Sequence, residues 1–201
     1  WCLRQSVDGV NCGTIVVTMT ISSDKPNILL IWPYGVVGSE SMPICFSFLV
    51  PQLLLSECTT TVIDCSLSNY HPNSVVFAQF VSHTKPDLIG ISAWSQNWRW
   101  VEMTVAALRE IVPGIPIVLG GPHITSTEKV GKADYALLGE AEHTLPQLLK
   151  LVHGGATTMA VGIATKTSTG SETGTFAVTQ AATVVGHCSL FVMALEGWHG
   201  T

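Results

Sequence analysis

The sequence predicts a doubly wound α/β domain, in which helices cover both faces of a five-stranded parallel sheet. Short apolar or β-branched runs alternate with helical segments between residues 27 and 152, and the connections between them are short. The first run, Asn27 to Trp32, is continuously apolar, as expected of a strand that is covered on both faces. Apolar residues make up 47% of the chain and charged residues only 11%, so a large core is easily built.

Each predicted element has a local signal. Residues 44–57 read as a helix, which Pro51 is expected to kink or end early. Asn73 is a plausible N-cap for the next helix. The clearest helix begins at Trp98, because apolar residues recur at helical spacing until Pro113-Gly114 ends it. Thr144 is a candidate cap for the last helix. The predicted strands are residues 27–32, 59–64, 87–92, 115–119 and 134–138, and the predicted helices are residues 44–57, 73–83, 98–112 and 144–152.

The chain divides into three regions. Residues 1–26 form an N-terminal extension, in which Thr14 to Ile21 is a possible edge strand. Residues 27–155 form the α/β domain. Residues 156–201 are richer in Thr, Ser, Gly and Ala; within them, 159–165 and 175–179 are predicted to pair as a hairpin, and the last 20 residues stay unassigned.

Composition excludes several classes of partner. The formal net charge is -5 and only nine residues are Lys or Arg, so binding to nucleic acid is not expected. No apolar stretch is long enough to span a bilayer and no signal pattern begins the chain, so we expect a cytoplasmic protein without a membrane partner. The six cysteines form no Cys-x-x-Cys pair, and we predict neither a metal site nor a catalytic constellation.

The predicted topology locates the ligand site. Right-handed crossovers bring the carboxyl ends of parallel strands to the same edge of the sheet, and ligands of such sheets bind beyond those ends. The loops at this edge are residues 33–43, 65–72, 92–97, 120–126 and 139–143.

Several residues on these loops have both a binding and a structural interpretation. Gly120-Gly121 lets a bulky ligand lie against the backbone or forms a tight turn. Ser92 faces a ligand or caps a turn, and His123 is a ligand contact or a hydrogen-bonded surface residue. Trp94 is the best candidate for stacking among the three tryptophans near the third strand. Glu140 remains a candidate, whereas Glu142 suits a helix N-terminus.

Some motifs are missing. The loop after the first strand contains no Gly-x-Gly-x-x-Gly fingerprint, and the chain contains no Walker motif and no Gly-x-Ser-x-Gly elbow. These absences weaken the dinucleotide, nucleotide-hydrolysis and serine-hydrolase interpretations.

Four segments in order resemble a known family. They are the apolar run 27–32 with its Pro/Gly loop, Asp87-Leu-Ile-Gly-Ile-Ser92, Pro116-Ile-Val-Leu-Gly-Gly-Pro-His123, and Ala133-Asp-Tyr-Ala-Leu-Leu-Gly-Glu140. About 125 residues resemble the N-terminal cobalamin-binding domain of cobalamin-dependent radical SAM proteins. The resemblance implies a flavodoxin-like Rossmann fold and a cofactor, cobalamin, bound at the carboxyl edge of the sheet. The residues that it places around the cofactor are Tyr34, Gly35, Ser92, Trp94, Gly120, Gly121, Pro122, His123, Gly139 and Glu140.

The resemblance also implies the state of the cofactor. Related mutase and methionine synthase domains carry a cobalt-ligating His after the first strand, and residues 33–43 contain no His. We therefore expect base-off cobalamin without a protein His ligand from this loop.

The chain departs from the family in its cysteines. It contains no Cys-x-x-x-Cys-x-x-Cys run for an iron–sulfur cluster, so neither the cluster nor SAM is expected to bind this chain. We expect a fragment or cofactor-carrying module whose partner is a radical SAM catalytic domain, with residues 159–179 resembling the β linker before that domain. The alternatives are a flavodoxin-like flavin-binding or signalling domain and a degenerate domain used for protein–protein contact.

Overall fold

A computed structural model describes residues 16–19, 25–35, 44–127, 131–154 and 163–165. The strands are β1 (Val16–Met19), β2 (Asn27–Trp32), β3 (Thr59–Asp64), β4 (Leu88–Ser92), β5 (Ile117–Gly120), β6 (Tyr135–Leu137) and β7 (Ile163–Thr165). The helices are α1 (Ile44–Leu55), α2 (Val75–Thr84), α3 (Trp98–Ile111), α4 (Pro122–Thr127) and α5 (Thr144–Gly154), and a 3₁₀ turn at Ser95–Asn97 precedes α3.

The predicted five-stranded parallel sheet is confirmed. The strand order is β1-β3-β2-β4-β5-β6-β7, and the five central strands, β3 to β6 in this order, are parallel to their neighbours. Two antiparallel edge strands extend it, since β1 pairs with β3 and β7 pairs with β6. The possible edge strand in residues 14–21 therefore exists as β1.

The C-terminal hairpin differs from its prediction. Ile163–Thr165 lies in the first predicted hairpin strand, but it pairs with Tyr135–Leu137 of the central sheet. Its predicted partner, residues 175–179, lies outside the described residues, as do the first loop beyond Gly35 and the unassigned tail.

Two apolar cores lie on opposite faces of the sheet. Alternate residues of a strand point to opposite faces. On β2, Leu29 and Ile31 accordingly pack with residues of α2, α3 and α4, while Ile28 and Leu30 pack with residues of α1 and α5. All four side chains are at most 1% exposed. The continuous apolar run thus arises because helices cover both faces, as predicted.

Acidic residues set the starts of two strands. Asp87 and Asp134, predicted as first residues of strands, lie just before β4 and β6. The Asp87 carboxylate accepts the backbone N–H of Asn27 at 2.7 Å, and the Asp134 carboxylate accepts that of Ile117 at 2.8 Å. Each carboxylate satisfies the first donor of a neighbouring strand, so the side chain replaces a ladder hydrogen bond.

Two helices, α2 and α5, differ from prediction in their N-caps, whereas α1 and α3 begin where predicted. The N-cap of α2 is Ser74, whose Oγ accepts the N–H of Phe77 at 3.2 Å, whereas the predicted cap Asn73 lies one residue earlier. Thr144 is the first residue of α5 and its hydroxyl donates to the Glu140 carbonyl at 3.3 Å, so it is not an N-cap. Helix α1 continues through Pro51 to Leu55.

Helix α4 was predicted as loop. It has only six residues, and Thr and Ser, which are weak helix formers, fill its second half. Pro122 suits its first turn because that position needs no N–H donor. Ile124 is fully buried in the core beneath it, so packing stabilises this turn of helix. None of the helices in the described part of the chain has the length and apolarity to cross a membrane.

Candidate functional site

The carboxyl ends of β2, β3, β4, β5 and β6 lie at one edge of the sheet, as the parallel pairing requires. The predicted site residues follow four of these strands. Tyr34 and Gly35 follow β2, and Ser92 and Trp94 end and follow β4. Gly120 ends β5, and the remaining residues follow β5 and β6, namely Gly121, Pro122, His123, Gly139 and Glu140.

The loops after β4 and β5 are in direct backbone contact. The N–H of Ala93 donates to the Gly120 carbonyl at 2.7 Å, and the N–H of His123 donates to the Ala93 carbonyl at 3.2 Å. Gly121 has φ +104°, and a Cβ on it would lie 2.8 Å from the Ala93 oxygen. Only glycine fits at Gly121, because both the left-handed backbone and the neighbouring chain exclude a side chain.

Gly120 differs from Gly121. A Cβ at this position would meet only the Cβ of Leu137 within 4 Å, at 3.9 Å. The missing side chain therefore leaves room at the edge of the sheet that none of the described residues fills. This is the property expected of a backbone against which a flat ligand lies.

Ser92 lies on the face covered by α1 and α5. It is 8% exposed and lies close to the thiol of Cys45, at the start of α1. Burial raises the pKa of Cys45, and the nearby Ser92 hydroxyl offsets part of the rise. The hydroxyl thus lies between the sheet and α1, beside the space over Gly120 with which Ser92 is in register.

His123 is held by two neighbours. Its Nδ1 lies 3.0 Å from the Ser95 hydroxyl, and its ring stacks on Trp98 with centroids 4.4 Å apart and planes at 30°. Its Nε2 is buried without a hydrogen-bond partner. A buried ring nitrogen that lacks a hydrogen-bond partner among the described residues is unusual in a folded protein.

Trp94 is the exposed tryptophan of the edge. It is 44% exposed, and its ring meets Trp32 edge to face at a centroid distance of 6.1 Å. Its backbone N–H donates to the side-chain oxygen of the fully buried Asn97 at 2.8 Å, which holds the 3₁₀ turn in place. The structure therefore gives Trp94 an exposed ring on a fixed backbone.

Tyr34 and Gly35 have a structural explanation. The Tyr34 hydroxyl donates to Asn69 at 3.2 Å, and its ring packs edge to face on Trp100 at 4.9 Å. Gly35 has φ +92°, and a Cβ there would overlap the indole of Trp100. The glycine lets Trp100 pack under the loop, which is a sufficient reason for it without a ligand.

The loop after β6 is linked to that after β5. Gly139 has φ +78° with open space where a Cβ would lie, and its N–H donates to the Thr125 hydroxyl at 3.1 Å. Thr125 in turn donates to the Gly121 carbonyl at 3.2 Å. Glu140 is largely exposed, but desolvation of its carboxyl group by the surrounding protein raises its pKa, and the nearby Glu142 carboxylate raises it further.

Sequence reasoning missed several residues of this edge. Thr125 joins two loops, Ser95 contacts His123, Cys45 contacts Ser92, and Asp64 ends β3 as a buried carboxylate. The one available signal was Asp64, a charged residue at the carboxyl end of a β-branched strand. No group of three or more His, Cys, Asp or Glu side chains that would hold a metal ion occurs within the described ranges.

Comparison with a family model gives a match over part of the chain. Residues 52–149, just under half of the sequence, match the B12 binding domain. The matched segment runs from α1 into α5 and therefore includes the loops after β3, β4, β5 and β6. No curated protein matches the sequence.

Solved structures share the fold. One is the radical S-adenosylmethionine methyltransferase TsrM from Kitasatospora setae with cobalamin and a [4Fe-4S] cluster bound, at 16% identity, TM-score 0.63 and 72% coverage of this chain. Another is the cobalamin-dependent S-adenosylmethionine radical enzyme OxsB with aqua-cobalamin bound, at 19% identity, TM-score 0.59 and 80% coverage. The matches span 28% of the TsrM chain and 23% of the OxsB chain.

Proposed function

Taking residues 52–149 as a B12-binding domain, we propose that this chain is a cobalamin-binding module that holds the corrin against the carboxyl edge of its sheet. The observation that carries the proposal is the bare backbone at Gly120, where an added Cβ would meet only the Cβ of Leu137 among the described residues, at the edge where ligands of such folds bind. The fold shared with two cobalamin-binding enzymes supports the same ligand.

The residues present fit this cofactor. Cobalamin combines a broad apolar ring, a rim of amides and a nucleotide tail. The exposed ring of Trp94 suits the corrin face, and Ser92 beside Gly120 suits a polar atom of the tail. The unpartnered Nε2 of His123 and the open backbone at Gly139 and Glu140 offer polar contacts for the rim.

We further propose that cobalamin binds base-off and without a protein ligand below the cobalt. The loop after β2 contains no His. His123, the one His among the predicted site residues, is fixed by Ser95 and Trp98, which supports a role in the wall of the site rather than on the metal. When bound, the cofactor supplies methyl-group or electron chemistry at cobalt, while the protein supplies orientation and exclusion of water.

The catalytic partner is also part of the proposal. The chain spans about a quarter of the enzymes it resembles in structure and has no Cys-x-x-x-Cys-x-x-Cys run. We assign the module to a radical SAM methyltransferase-type system whose cluster-binding domain lies outside these 201 residues. Its edge loops would then face that domain across the cofactor, in the cytoplasm.

Cobalamin binding is tested by mixing the purified protein with hydroxocobalamin, desalting it and recording the visible spectrum. We expect retained cofactor with a base-off spectrum. Gly139→Ala is compared with Gly114→Ala, since both glycines have positive φ, +78° and +89°, and open space around them. Only the first lies at the edge, so only Gly139→Ala should weaken binding. A colourless desalted protein, or one that retains FMN instead, contradicts the proposal.

A further inference from the structure

Two buried polar atoms at the ends of β2 and β3 have no partner. Trp32 and Asp64 are the last residues of these strands and lie in register. Their side chains are 6% and 3% exposed, so both are more than nine-tenths buried. The indole Nε1 of Trp32 and the Oδ2 of Asp64 have no hydrogen-bond partner within the described part of the chain. One is a donor and the other an acceptor.

The register makes these side chains neighbours on one face. Neighbouring strands lie about 4.8 Å apart, and residues in register point the same way. Trp32 packs with Val62 in the core under α1 and α5, and Asp64, two residues after Val62, points to this face as well. One side chain has an unpartnered donor and the other an unpartnered acceptor, and the two residues lie in register on neighbouring strands and point to the same face.

The remaining bonds of Asp64 do not explain its second oxygen. Its Oδ1 accepts the N–H of Leu67 at 2.9 Å, which stabilises the turn after β3. A cap of this kind needs one oxygen, and Asn or Ser would provide it. Burial raises the pKa of the carboxyl group. The backbone N–H groups of Leu67 and Ser66 both offset part of this rise, yet Oδ2 has no hydrogen-bond partner among the described residues.

The pair adjoins the ligand edge. The Trp32 ring meets Trp94, the exposed tryptophan of the candidate site, at 6.1 Å, and it meets Phe46 at the start of α1 at 6.4 Å. The Trp32 ring is therefore separated from the open edge by a single ring, that of Trp94.

We propose that Trp32 and Asp64 form a subsite for a primary carboxamide, whose carbonyl accepts from the indole N–H and whose NH₂ donates to the carboxylate. The pairing uses both unpartnered atoms and requires a group with one acceptor and one donor side by side. A corrin ring carries primary amides around its rim. This inference rests on the proposed function, and it assigns to these residues the anchoring of one amide of the cofactor.

The first test removes the donor. Trp32→Phe keeps an aromatic ring but loses the N–H donor together with part of the indole, so the dissociation constant for hydroxocobalamin should rise at least about fivefold to tenfold, as for one neutral hydrogen bond. Thr60→Val is the matched control, because Thr60 on the same strand as Asp64 also has a buried, unpartnered hydroxyl but lies at the opposite end of β3. This variant should bind as the wild type does.

The second test exchanges specificity and does not depend on Trp32→Phe folding. Cobalamin monocarboxylic acids have one propionamide hydrolysed to a carboxylate. Wild-type protein should bind one of these acids at least about tenfold more weakly than cobalamin, because the carboxylate meets that of Asp64 without a donor. Asp64→Asn keeps an oxygen for Leu67 and adds a donor, so it should bind this acid about as well as cobalamin.

The outcomes separate the two proposals. If the wild type binds cobalamin but neither Trp32→Phe nor Asp64→Asn alters affinity or the preference among these ligands, the subsite is absent and the two atoms serve at most a buried water. If the wild type binds no cobalamin at all, the proposed function fails, and this inference fails with it.

Discussion

Gly121 lies at the contact between the loops after β4 and β5, and replacing it by alanine perturbs this contact. The added Cβ would lie 2.8 Å from the carbonyl oxygen of Ala93 and 3.1 Å from its nitrogen. The clash involves backbone atoms, so no side-chain rotation relieves it. The loops must separate, which weakens the bonds from Ala93 to Gly120 and from His123 to Ala93.

Two terms set the size of the effect. The left-handed backbone, φ +104°, costs an alanine about 1 kcal/mol. The weakening of two backbone hydrogen bonds adds about 1 to 3 kcal/mol. We expect the free energy of unfolding of Gly121→Ala to fall by about 2 to 4 kcal/mol, and its affinity for cobalamin to fall as well, because the two loops form the edge.

Urea unfolding followed by circular dichroism measures the first quantity. Gly114→Ala is the control, since Gly114 has φ +89° but no atom within 4 Å of the position that an added methyl group would occupy. It should lose only the conformational term, about 1 kcal/mol. Equal losses in the two variants would refute the reasoning, because they would show that contact with Ala93 adds nothing to the conformational cost.

Three further predictions concern other contacts. Burial raises the pKa of Asp64, so the folded protein keeps a proton there at pH values where the unfolded chain has lost it, and the stability of the wild type relative to Asp64→Asn should increase as pH falls through the raised pKa. If the free energies of unfolding of the two proteins, measured with urea, changed equally with pH, this prediction would be contradicted. Thr125→Val removes the hydroxyl that links Gly139 to Gly121, so it should lower the free energy of unfolding by about 1 kcal/mol and weaken cobalamin binding, whereas Ser126→Ala, whose hydroxyl bonds to the His123 carbonyl within α4, should leave binding unchanged. Equal affinities for cobalamin in the two variants would show that the link between the loops is unimportant. Arg109→Met removes the 2.7 Å ion pair with Asp134 and hydrogen bonds to two carbonyls, so the free energy of unfolding should fall by about 1 to 3 kcal/mol, compared with less than about 1 kcal/mol for Lys25→Met, which removes the exposed ion pair with Glu57. Similar melting temperatures for these two variants would count against this prediction.

Local patterns explain why the elements were predictable. The helix beginning at Trp98 was expected to end at Val112 and ends at Ile111, since apolar spacing and the Pro113-Gly114 stop act within a few residues of chain. The alternating strands and helices likewise predicted the parallel sheet, because crossover geometry leaves few other arrangements. The resemblance to cobalamin-binding domains, also stated from the sequence, is confirmed by the family match.

Where two residues are equally suitable, the sequence does not choose between them. Asn73 and Ser74 are both good N-caps, and only the folded chain shows that Ser74 bonds to Phe77 while the N–H of Asn73 donates to His71 at 3.2 Å. The short helix α4 has a similar origin. Its propensity is weak, and burial of Ile124 stabilises it.

The site shows the same division. The sequence by itself determined which strand ends share one edge of the sheet, and so placed Ser92, Gly120 and His123 at that edge, because right-handed crossovers bring the carboxyl ends of parallel strands together. The tertiary structure alone decided what each residue contacts. It showed that Gly35 accommodates Trp100, that no described side chain fills the space at Gly120, and that Trp32 and Asp64 lie in register on neighbouring strands. These contacts join residues far apart in the chain, and no local pattern records the register that brings them together.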